Sequence, residues 1–134
     1  MSHPTEPAYA AALHTLFDHV ADLEASCAQA GKEALASDDP AETAVLQEDF
    51  YRFDAAAKAV GEAIRRVMRN DTARREPGLR AAQRFAIVNH HFDVSMASAR
   101  KRAAALAETF CNCDDPNTPP CIIAGHSADR KVNA

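Results

Sequence analysis

Residues 46–67 read LQEDFYRFDAAAKAVGEAIRRV, and within them Leu46, Phe50, Phe53, Ala57, Val60, Ile64 and Val67 recur at spacings of 4, 3, 4, 3, 4 and 3. That period holds all seven on one stripe of an α-helix, because residues three and four apart share a face. Just upstream, Asp39-Pro40-Ala41-Glu42 places a capping carboxylate, a proline at the first helical position and a glutamate three residues after the cap. This is a capping-box start. Downstream, Asn70-Asp71 and then Glu76-Pro77-Gly78 interrupt the pattern, since proline cannot continue the hydrogen-bond ladder and glycine costs about 1 kcal/mol inside a helix.

The flanking segments repeat the pattern. Leu13, Leu16, Val20, Leu23, Cys27, Ala30 and Ala34, widened by Phe17, form one stripe that stops at Ser37-Asp38. A third stripe runs Phe85, Asn89, Phe92, Met96, Ala99, Ala103, Leu106 and Phe110 from a start close to Leu79. Its polar member, Asn89, fits the role of a register-fixing residue, and a small rotation would put Val88 inward instead. The expectation is an all-α fold of three long helices, about 8–37, 40–70 and 78–111, each roughly 45 Å at 1.5 Å per residue. Equal lengths and short connections favour an antiparallel up-down-up bundle as one domain over residues 1–111, followed by an irregular Cys- and Pro-containing tail over residues 112–134. The stripes are rich in alanine and depend on six phenylalanines for large apolar volume, so self-association or membership of a larger assembly is expected to add burial.

No run of about 18 apolar residues is present, and Met1-Ser2-His3-Pro4-Thr5-Glu6-Pro7 is no secretion signal, so no membrane contact and a cytoplasmic location are expected. The net charge of -4 conceals a segregation. Residues 1–57 hold eleven acids against two bases, whereas residues 58–105 hold eleven bases against four acids, nine of those bases being arginine. Arg65, Arg66, Arg69, Arg74, Arg75, Arg80 and Arg84 would gather at one end of an antiparallel bundle, with Arg100, Lys101 and Arg102 farther along the third helix. The planar guanidinium fork suits phosphate and carboxylate, which makes nucleic-acid backbone one candidate partner and an acidic protein another. Interhelical pairing with Asp18, Asp22, Glu24 and Glu33, as at the e and g positions of coiled coils, is the competing use. No Tyr or Trp is interleaved with these arginines, which counts against base-specific recognition.

In the tail, Cys111, Cys113, Cys121 and His126 could close a tetrahedral site for one structural zinc. The one-residue gap between Cys111 and Cys113 departs from the usual two, and a disulfide or free thiols are the other readings. Cys27 reads as a small core hydrophobe. The topology also brings His14, Asp18, His19, Glu62, His90, His91 and Asp93 to similar heights, a weak candidate for a carboxylate–histidine metal site. Phosphate loops, nucleophile elbows, dinucleotide fingerprints and His-Glu-x-x-His are missing from the sequence, and enzyme activity is not expected. The function expected is that of a non-enzymatic helical module whose arginine-rich face holds a polyanion. A protein–protein adaptor or inhibitor and a metal- or redox-responsive bundle are the alternatives.

Overall fold

The computed structural model describes residues 6–109, and they form a three-helix bundle: α1 Glu6–Ala36, α2 Pro40–Arg75 and α3 Ala81–Thr109. The start of α2 follows its local chemistry. Asp39 has extended backbone, φ -95° and ψ 116°, and its Oδ1 accepts from the Ala41 N–H at 3.1 Å, with Pro40 at the first helical position. The other half of the expected box differs, because the Asp39 N–H donates to Ser37 Oγ at 3.3 Å and not to Glu42, which lies exposed.

Two boundaries move. α2 continues five residues beyond Asn70, since Asp71 and Thr72 are half-buried and Arg75 reaches back to Asp71 at 3.0 Å and across to Glu6 of α1. It ends where Pro77 disfavours helical geometry for Glu76, whose N–H still bonds the Thr72 carbonyl at 2.9 Å. α3 begins at Ala81 and not near 78, and Gln83 Oε1 accepts from the Arg80 N–H at 2.9 Å, the backward reach of a capping box.

Contacts between α1 and α2 run in opposite chain order, Glu6 with Arg75 and Cys27 with Phe50. Those between α1 and α3 run in the same order, Phe17 with Phe92 and Glu24 with Arg100. One apolar cluster joins all three helices: Phe17, Val20 and Ala21 from α1, Ala57 and Ile64 from α2, and Phe92, Met96 and Ala99 from α3. The Phe17 and Phe92 rings meet at 5.4 Å and 59°. In α3 the buried stripe is Val88, Phe92, Met96 and Ala99; Asn89 is half-buried and Phe85 is 57% exposed, so α3 is rotated from the expected register. A β-branched hydrocarbon in place of an amide on the core line spares the cost of an unpaired polar group.

This core is off-centre. At the opposite end, where the α1–α2 connection lies, Ala30 is the buried apolar residue among those described, while Leu35 is 92% and Leu106 57% exposed. Among the described residues no helix is long and apolar enough to cross a membrane.

Candidate anion-binding site

Of the ten basic residues singled out by sequence, nine divide into two sets and Arg84 stands apart. Arg65, Arg75, Arg100 and Arg102 are engaged within the bundle. Arg100 makes a two-point contact with Glu24, Nε to Oε1 at 3.1 Å and Nη2 to Oε2 at 3.0 Å, and Arg102 meets Asp18 at 2.8 Å. Arg75 joins Glu6 of α1 to Asp71 of its own helix, and those hydrogen bonds, Glu6 first, hold its guanidinium above the ordinary arginine value. Glu24 acts on Arg100 in the same direction. The acidic first helix thus takes up part of the basic charge of the other two.

Arg65 is held differently. Its guanidinium stacks on the Phe92 ring, 3.9 Å from the centroid, and Nη1 reaches Glu62 at 3.3 Å. Its Nε is buried with no hydrogen-bond partner among the described residues.

The second set is Arg66, Arg69, Arg74, Arg80 and Lys101, for which no carboxylate lies within ion-pair reach among the described residues. Ile64 faces the core, so helical geometry turns Arg66 almost directly outward, with Arg69 one turn on. Arg74 lies in the last turn of α2, where a cation also favours the helix dipole, and Arg80 precedes α3. Arg84 crosses the connection to donate to the Leu79 carbonyl. The result is a cationic corner at the α2–α3 end, beside the exposed side chains of Val67 and Phe85. Lys101 is exposed and belongs to another level of α3.

Among the described residues, concavities open between the helices at three levels. One of about 420 Å³ at mid-height is lined by Val20, Ala57, Phe92 and Met96, with Gly61 beside them. A rim of three acid–base pairs surrounds it: Asp54 with Lys58, Glu62 with Arg65 and Glu24 with Arg100. A second, of about 400 Å³, lies near Tyr9, Met68, Arg75 and His91; burial, followed by Asp71, raises the Tyr9 phenol above its ordinary value. The third, about 540 Å³, occupies the thin end of the bundle between Ala30, Leu46, Phe53, Ala103 and Leu106, with Asp22, Glu33 and Asp49 at its edge. Sequence reading did not single out this groove. Its available signal was Asp49 set between Leu46 and Phe53, three and four residues away, on an otherwise apolar stripe.

Among the described residues no group of three His, Cys, Asp or Glu side chains could hold an ion, which corrects the expected histidine level. His14 approaches Asp18 at 3.5 Å, but Asp18 is also bound by Arg102, and His90 and His91 are exposed. The residues Cys111, Cys113, Cys121 and His126 lie outside the described residues. Cys27 is half-buried and donates to the Phe50 carbonyl at 3.4 Å; desolvation first, and then Asp54, raises its thiol above the ordinary value. No family model, curated protein or solved structure matches the chain.

Proposed function

We propose that the protein is a non-enzymatic helical module that binds polyanionic chains at the α2–α3 corner, through Arg66, Arg69, Arg74 and Arg80, with nucleic-acid backbone as the leading class. The observation that carries this reading is the division of the arginines. α1 and α2 carboxylates engage Arg65, Arg75, Arg100 and Arg102, whereas these four lie at one end with no carboxylate partner among the described residues. Arginine forks free of internal carboxylates bind phosphate by paired hydrogen bonds, and such contacts tolerate any base sequence.

The test is fluorescence anisotropy with single-stranded oligonucleotides of unrelated sequence and with inorganic polyphosphate across a salt series. Four phosphate contacts give a log–log salt slope of about -3 on a single strand. Arg66→Glu with Arg69→Glu is expected to weaken every polyanion by at least about tenfold, and Arg100→Gln to leave affinity unchanged. Absence of binding to all of them at low salt overturns the reading. A protein partner with an acidic surface is the second reading, favoured by Phe85 and Val67, which are 57% and 41% exposed beside the arginines. A partner of that kind predicts no affinity for the polyanion series.

A further inference from the structure

We infer that the groove at the thin end of the bundle is a docking surface for a second copy of this chain, which enters it with its cationic α2–α3 corner. The inference shares that corner with the proposed polyanion site but is carried by the groove, and it stands or falls separately from polyanion binding.

The groove is apolar at its floor and acidic at its rim. Leu46, Phe53 and Leu106 line it with Ala30 and Ala103, together with Asp22, Glu33 and Asp49. Exposed Asp38 and Glu42 extend the negative field; of the bases at this level, Arg52 is paired with Glu48 and Arg102 with Asp18, which leaves Lys32 and Lys101 against these acids. The corner has the opposite composition: its residues include the exposed apolar side chains of Phe85 and Val67 and the cations Arg66, Arg69, Arg74, Arg80 and Arg84, against Glu76, while the exposed Glu6 and Glu62 are taken up by Arg75 and Arg65. An apolar floor with an acidic rim matches an apolar tip with a basic rim in both solvation and sign. The two surfaces lie at opposite ends of the bundle, so a single molecule cannot satisfy itself through them. Contact is therefore head-to-tail, the heterologous geometry that propagates into rings or open chains.

The experiment is sedimentation velocity on the full chain, under reducing conditions and without added polyanion, over concentration and salt. Expected is concentration-dependent growth past the dimer at low salt, with the association constant falling at least about tenfold as ionic strength rises from tens to hundreds of millimolar. Two charge-reversed proteins separate the ends: Asp22→Arg, Glu33→Arg and Asp49→Arg in the groove, and Arg66→Glu, Arg69→Glu and Arg74→Glu at the corner. Each alone is expected to stay monomeric, and an equimolar mixture to assemble again, since each reversed end then meets its complement. Leu106→Glu, an exposed position, provides a milder groove variant, and circular dichroism reports whether each protein keeps its helices. A wild type monomeric at every concentration, a dimer indifferent to salt, association by either reversed protein alone, or a mixture of folded variants that stays monomeric overturns the inference. Leu106→Glu adds no cation to the groove and leaves the corner untouched, so in this variant loss of assembly is read independently of polyanion binding.

Discussion

The Arg65 guanidinium lies on the Phe92 ring with its Nε enclosed and unbonded, so this side chain serves the bundle through its stem and its stacking. A buried donor without an acceptor costs about 1–3 kcal/mol, while the cation–π contact returns about 0.5–1 kcal/mol at a partly exposed site. Arg65→Met keeps the hydrocarbon stem and removes the unmet donor, so thermal or urea unfolding is expected to place it within about 1 kcal/mol of wild type. Arg65→Ala is expected to cost about 1–2 kcal/mol by stripping the cover from Phe92. That arginines are numerous between residues 58 and 105 is plain in the sequence. Which of them are already engaged is not, because the carboxylates that hold Arg100 and Arg102 lie 76 and 84 residues away on α1. Pairing of this kind depends on how two helices slide past each other, and a single helix's periodicity carries no record of that offset.

Gly31 and Gly61 both sit inside helices, where replacement by alanine is worth up to about 1 kcal/mol in propensity. Their surroundings differ. A Cβ at Gly61 would stand 3.5 Å from Phe92 Cζ, an ordinary contact, whereas one at Gly31 would stand 3.2 Å from Phe50 Cδ2. Gly61→Ala is therefore expected to raise stability by about 0.5–1 kcal/mol in chemical denaturation, and Gly31→Ala to gain less because the Phe50 ring must shift. The same two helices show how much of the architecture could be read in advance. The α2 stripe through Phe53, Ala57 and Ile64 and the cap at Asp39 follow from spacing and local chemistry. The extension of α2 to Arg75 does not, since it depends on packing around Asp71 and on Glu6 from another helix. In α3, Val88 and Asn89 stand four and three residues before Phe92 and flank its line on either side, so periodicity alone favours neither. Burial decides for Val88 at 2% exposure.

At the scale of the whole molecule, acidic and basic segments that are separate in sequence become neighbours through α1, yet each end of the bundle keeps its own sign. The sequence made that segregation visible, but the groove between Leu46, Phe53 and Leu106 arises only where three helices fail to close on one another. The off-centre core has a further consequence for how the molecule breathes. Opening free energy follows local burial, so backbone amides around Phe17, Ile64 and Phe92 should report the global unfolding equilibrium. Amides of α3 beyond Ala99, and of α1 and α2 flanking the Ser37–Asp39 connection, should exchange with solvent deuterium through smaller, separate openings. Hydrogen exchange followed by mass spectrometry on dilute protein is expected to resolve this as a gradient along every helix. Uniform protection from end to end would mean that the three helices unfold as one cooperative unit, whereas a gradient makes the Phe17–Phe92 contact the last part of the fold to let go.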